Sequence, residues 1–228
     1  MLIHEGDKRT PATDLMLASI LALVAGGVNS AGYMIYQYFS ANMTGNVSMA
    51  SELLAVSRFH AALGFLTVVV MFVLGAFLAS LLIEIGKRQR RNNIYALTLA
   101  VEAGVLILVG AAVALSARLP NGILIAGLLS LTMGIQNAAS TRISGSRVRT
   151  THVSGIATDI GVGLAMLLGA HGGSEKPATV RRLKLHLATI ACFALGGVLG
   201  VFGYENVGGA IFCVLAAPLL ALSFRYLR

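Results

Sequence analysis

Three stretches of this chain, Leu15–Tyr36, Ala61–Ile83 and Ile123–Ser140, contain no charged residue at all. A helix needs roughly 20 apolar residues to cross a bilayer core about 30 Å thick, so runs of this length point to membrane-spanning helices. Ile94–Leu115 adds a fourth run, broken only by Glu102. Leu187–Tyr204 and Val207–Phe224 add two more, which flanking long side chains can lengthen. Composition agrees, because 57% of the 228 residues are apolar and 11% charged, where a soluble domain carries about 25% charge. An ordinary cytosolic enzyme, a disordered chain and a secreted disulfide scaffold are excluded. Cys192 and Cys213 both lie inside apolar runs without metal-type spacing, so they read as fillers, and no metal or cofactor is expected.

Two further stretches are shorter or more polar, Asn42–Ser57 and His152–Ala170. If both crossed fully, the 17 Lys and Arg residues would divide 10 inside to 7 outside. If each dips in and returns on its own side, six segments cross. Then Lys8/Arg9, Lys87–Arg91, Arg142/Arg147/Arg149, Lys176–Lys184 and Arg225/Arg228 all lie inside, leaving Arg58 and Arg118 outside. Basic residues collect on the cytoplasmic side. The net charge of +8 therefore reads as topology, and no nucleic-acid partner is expected. Both termini are then cytoplasmic, with 1–14 a charged N-terminal segment ahead of an anchor that is too long for a signal-peptide core.

The polar stretches belong to an internal repeat. Gly27-Val28-Asn29-Ser30-Ala31 matches Gly134-Ile135-Gln136-Asn137-Ala138, and Asn42-Met43-Thr44-Gly45 matches His152-Val153-Ser154-Gly155. Further on, Phe72, Leu74, Gly75 and Leu78 match Phe193, Leu195, Gly196 and Leu199. Each unit, about 15–115 and 121–225, holds three crossings and one short polar helix. An odd number of crossings inverts the second copy, a plan in which the working site sits near the midplane where the interrupted segments meet. The expected fold is thus an all-α polytopic membrane protein in one domain, 1–228. It has six transmembrane helices and two short polar helices, re-entrant or, in the eight-span alternative, crossing fully, arranged as two inverted repeats.

With these residues assembled, AGGVNSAGY…FSANMTGNVSMAS in the first half and MGIQNAAS…ISGSRVRTTHVSGIATDIG in the second resemble the YoaK-type family of bacterial membrane proteins, a domain of unknown function. The resemblance covers roughly 15–225. It implies a six-span protein of the bacterial inner membrane without an assigned substrate. The family pattern carries Asp where this chain has Asn29, so proton coupling through that position does not carry over.

The polar residues have competing readings. Asn42, Thr44, Gly45 and Asn46 suit the start of a helix whose free N–H groups face a solute pathway, or a cap that merely ends a re-entrant loop. Asn29, Gln136 and Asn137 bind solute across a pseudo-two-fold axis, or act as helix–helix glue. Asp159, on one face with His152, couples a cation or pins its helix through His152 or the nearby arginines, with Ser154 close by. Glu52 reaches the outer interface, whereas Glu102 pairs with a neighbour or snorkels. Arg142, Arg147 and Arg149 hold an anion or lipid headgroup, or simply anchor the loop. Glycines such as Gly196 and Gly200 permit close packing within the protomer or in a homodimer. No P-loop or catalytic motif occurs, so an ATP-driven pump would need a partner's ATPase. The leading expectation is a transporter or channel for a small solute. The alternatives are a non-transporting membrane partner or sensor, and an intramembrane enzyme using His152, Asp159 and Thr44 or Ser154.

Overall fold

The computed structural model describes residues 1–116, 121–169 and 176–227. Arg118 and Arg228, both part of the charge partition, lie outside the described residues. Among those described, eight α-helices follow one another: α1 (Pro11–Tyr36), α2 (Met43–Ala55), α3 (Phe59–Arg88), α4 (Ile94–Leu115), α5 (Gly122–Ser144), α6 (Val153–Gly169), α7 (Lys176–Val207) and α8 (Ile211–Leu227).

Local chemistry sets the ends. Thr10 Oγ1 accepts from Thr13 N at 3.2 Å and Pro11 takes the first helical position, so α1 begins ahead of its apolar run. It stops where Gln37 turns left-handed (φ 61°) and donates its side-chain amide to the Tyr33 carbonyl at 3.1 Å. Asn42 Oδ1 accepts from Gly45 N at 3.1 Å and starts α2. Asn121 does the same for α5 through Ile123 N at 3.0 Å. α7 starts at Lys176, well before the apolar run at Leu187, because Arg181, Arg182 and Lys184 continue the helix beyond the apolar zone.

Five stretches are long and apolar enough to cross a membrane: α1, α3, α4, α5 and the run Lys176–Leu227. A short 3-10 turn at Gly208–Ala210 interrupts that last run, with Gly208 at φ 58°. α6 is a shorter apolar helix, and the 13 residues of α2 make a rod only about 20 Å long. The outer faces are oily. Val70, Val73 and Phe77 of α3, Leu108 of α4, Val198 and Phe202 of α7 and Val214 of α8 are all more than half exposed. Lipid covers such a surface without penalty and water does not.

The bundle is organised by which helices touch. α1 packs most extensively on α7, and α3 on α5, while α4 packs on α8. α2 leans on α3 and α6 on α7, and α1 touches α5 at the centre. Within their apolar windows, 67% of α1 and 61% of α5 is buried against 22% of α3, which puts α1 and α5 in the middle. Two crossings are made by backbone against backbone. A Cβ on Gly26 would collide with the Phe193 carbonyl, and one on Gly196 with the Leu23 carbonyl. In the other crossing, a Cβ on Gly134 would strike the Phe72 carbonyl, and one on Gly75 the Leu131 carbonyl. Glycine is needed at all four because no side chain fits between the helix axes. Between these helices lies the apolar core, with Leu21, Val24, Val28, Leu99, Leu106, Leu129, Met133, Phe212 and Leu219 almost fully buried.

Candidate functional site

Where α1 ends and α2 begins, residues 37–42 are not helical, and the same holds for 145–152 between α5 and α6. Unwound backbone inside an apolar bundle needs partners for its polar groups, and the amides supply them. Asn29 Oδ1 accepts from Ala41 N at 2.9 Å. Asn46 donates Nδ2 to the Phe39 carbonyl at 2.6 Å. In the second half Asn137 Oδ1 accepts from Thr151 Oγ1 at 2.9 Å, and Asn137 Nδ2 donates to the Met133 carbonyl at 2.8 Å. Gln136 Nε2 donates both to Thr150 Oγ1 and to the Leu21 carbonyl, each at 3.0 Å, so it also ties α5 to α1. Each amide side chain thus fastens an unwound segment to the helix before it, the helix after it or the core.

The segments so held frame a cleft of about 960 Å³. Asn29, Asn42, Thr44, Gly45, Asn137, His152 and Ser154 all line it, together with Phe39, Phe72, Phe193, Thr151 and Arg149. The first turns of α2 and α6 face this one space. His152 stands where Asn42 stands in the first half, directly before its helix, and its imidazole lies over Gly155 as the Asn42 amide lies over Gly45. The His152 carbonyl accepts from Ile156 N at 3.0 Å. Asn46 and Gln136 are fully buried behind the wall rather than lining the cleft. Their Oδ1 and Oε1 atoms have no partner among the described residues.

Residues 17–224 match the family model described as "Protein of unknown function (DUF1275)". The chain belongs to the DUF1275 family. It is 28% identical over 189 residues to the UPF0700 transmembrane protein YoaK of Bacillus subtilis (strain 168), a match covering 80% of each chain. No solved structure matches.

In this DUF1275 protein the three arginines of the α5–α6 connection have separate fates. Arg142 pairs with Glu84 of α3 at 2.9 Å. Arg147 pairs with Asp14 of α1 at 2.9 Å and donates to the Gly6 carbonyl at 2.5 Å, with Asp7 at 3.4 Å. Arg149 has no ion-pair partner among the described residues and lines the large cleft. It also lines, with His152, a second cleft of about 410 Å³ that contains Arg147, Asp159, His186 and Thr189. Arg149 and His152 therefore stand at the neck between the two spaces. Asp159 is exposed and lies in the smaller cleft with His152 and two of the arginines, but forms no ion pair with them, so the salt-bridge alternative for it has no such pair behind it.

Two features escape a reading of the sequence. The N-terminal segment is not a solvated tail. Leu2 is 1% exposed within the core, and the Arg9 side chain is wholly buried. Arg9 bonds Asp14 at 2.5 Å and the carbonyls of Met1 and His4 at 2.6 and 3.0 Å. Lys87 reaches Glu5 at 2.6 Å, and the α-amino group donates to the Tyr226 hydroxyl. Burial, helped by Arg9 and Arg225, holds that amine below its usual value. Asp14, one turn into α1 and five residues after Arg9, is the only signal in the sequence. The second feature is Glu102, expected to pair or to snorkel. It does neither, being 0% exposed with both carboxylate oxygens unpartnered among the described residues. It faces inward from α4 and is enclosed by the bundle.

Proposed function

We propose that this chain is a small-solute transporter or channel of the bacterial inner membrane. It crosses six times, with α2 and α6 re-entrant, and its solute site lies in the cleft between them. The observation that carries the reading is the paired lining of that cleft. Ala41, Asn42, Met43, Thr44 and Phe72 each line it, and so do Thr151, His152, Val153, Ser154 and Phe193, their counterparts in the other half. A wall assembled twice from corresponding residues, at interrupted helices, is what inverted-repeat transporters use.

The packing supports the inverted repeat as well. α1 on α7 corresponds to α5 on α3, and α2 on α3 to α6 on α7. The glycine contacts correspond atom for atom when Gly26 is matched with Gly134, Leu23 with Leu131, Phe72 with Phe193 and Gly75 with Gly196. This register moves the match in the first helix by one residue from the one read in the sequence and sets Asn29 opposite Asn137. Their acceptor roles toward Ala41 N and Thr151 Oγ1 then correspond too.

Flux of labelled solutes into proteoliposomes at imposed pH gradients tests the reading. Protein-dependent flux of at least one solute is expected, and its absence across cationic, neutral and anionic panels would sink it. Topology is tested by cysteine accessibility in cells, at exposed Lys8 and Gln89 for the cytoplasmic side and at Phe59 for the outside. Labelling of position 89 from outside would overturn the six-crossing arrangement.

A further inference from the structure

The lining of the large cleft is unbalanced in charge. Arg149 and His152 are its basic side chains, and it includes no carboxylate among the described residues. Asp159 lies in the smaller cleft and is not part of the lining of the large one. Arg142 and Arg147, which precede Arg149 in sequence, already have carboxylate partners, Glu84 for the first and Asp14 with Asp7 for the second. Arg149 is thus the guanidinium of this loop whose charge is left for something else.

The two halves of the lining differ at the same place. Arg149 corresponds to Phe39 of the first half, with the spacing that relates His152 to Asn42. Phe39 is fixed as wall, stacked on Tyr33 with ring centroids 4.2 Å apart and its carbonyl held by Asn46. The lining is therefore cationic at Arg149 and His152 and aromatic at Phe39, Phe72 and Phe193. Low-dielectric walls around one sign of charge concentrate counter-ions, and a guanidinium offers the planar fork that carboxylate and sulfonate oxygens accept. The first turns of α2 and α6 add N–H dipoles of the same sense.

Resting on the transport reading, we infer that the solute is a small organic anion. Its acidic group is bound by Arg149 at the neck and its apolar part lies against Phe72 and Phe193. Ser154 and Thr44 supply hydroxyls to the remaining anion oxygens.

The experiment uses the full chain, in proteoliposomes for flux and in detergent for ligand-induced thermal stabilisation. The probes are methanesulfonate and benzenesulfonate, which stay ionised and so do not leak as neutral acids, beside erythritol and tetramethylammonium. Benzenesulfonate flux above that of protein-free vesicles is expected. Arg149→Gln should reduce it roughly tenfold or more, the scale of losing one charge-assisted bond. Arg149→Lys should restore part of it, and Arg88→Gln, on an exposed side chain far from the cleft, should leave it unchanged. Flux of erythritol or tetramethylammonium without sulfonate flux would overturn the anion while leaving transport standing. Sulfonate stabilisation abolished by Arg149→Gln, with no flux of any probe, would keep the anion site and overturn transport. Sulfonate flux indifferent to Arg149→Gln, in protein of normal elution profile, would remove Arg149 from the site. Neither flux nor stabilisation by either sulfonate would end the inference.

Discussion

Arg147 and Asp14 meet, Nε to Oδ2, at 2.9 Å, joining the loop that leads into α6 to the first turn of α1. Asp14 gives its other oxygen to Arg9 at 2.5 Å, so one carboxylate with 6% of its side chain exposed serves two guanidiniums. Asp14→Asn leaves Arg9 buried without a counter-charge, a change that costs about 3–5 kcal/mol when a buried pair is broken. Arg147→Gln is cheaper, about 1 kcal/mol, because that side chain is 37% exposed and water screens it. Thermal denaturation in detergent, read by loss of the monodisperse peak because the chain has no Trp, should rank Asp14→Asn well below Arg147→Gln.

The glycine seams make a paired prediction. Gly26→Ala, Gly75→Ala, Gly134→Ala and Gly196→Ala each push a methyl group into a backbone carbonyl of the facing helix, and overpacking of this kind costs about 1–3 kcal/mol. Gly104→Ala and Gly161→Ala meet nothing within 4 Å and should be neutral or gain about 0.5–1 kcal/mol from the stiffer helix. Equal melting temperatures for the two groups would contradict the close crossings.

Asn29 is required as an acceptor. Asn29→Asp keeps an oxygen for Ala41 N, whereas Asn29→Leu leaves that buried N–H unbonded, at about 1–3 kcal/mol. Hydrogen exchange at residues 37–42 should accelerate in the Leu variant and stay slow in the Asp variant. The same measurement at 145–152 should respond to Asn137→Leu, which removes the acceptor of Thr151 Oγ1.

Glu102 should be a source of instability. A buried polar group without partners costs stability, so Glu102→Met, close in volume and apolar, should raise the melting temperature by several degrees. If that stable variant also loses the flux described above, Glu102 is retained for function against its cost; if flux persists, its burial has no part in transport.

Much of the architecture is legible in hydropathy because lipid imposes it. The run Ile94–Leu115 is α4 residue for residue, and the run ending at Tyr36 ends α1 there. Asn42 reads as a cap from its type alone, since a short acceptor before Thr44-Gly45 is what a starting helix binds. The start of α7 is not legible, because a helix can continue into water and its charged first turns look like loop. Nor are Asp14–Arg147 and Arg142–Glu84, whose partners lie 133 and 58 positions apart and are brought together only by tertiary packing. Gln136 shows the same limit: its amide reads as polar within a span, but its partner, the Leu21 carbonyl, belongs to a helix laid down much earlier.

The glycine crossings also set a timetable. Gly26 emerges from the ribosome long before Phe193, whose carbonyl fills the place a side chain would take. At about 5–20 residues per second, the delay is on the order of ten seconds or more. Through that interval the small-residue face of α1 sits in the membrane without its mate, while α3 waits a shorter time for α5. The first half of the chain therefore cannot mature as a finished unit, and a transient lodger, whether the insertion machinery, lipid or another newly made helix, must occupy that groove and then leave it.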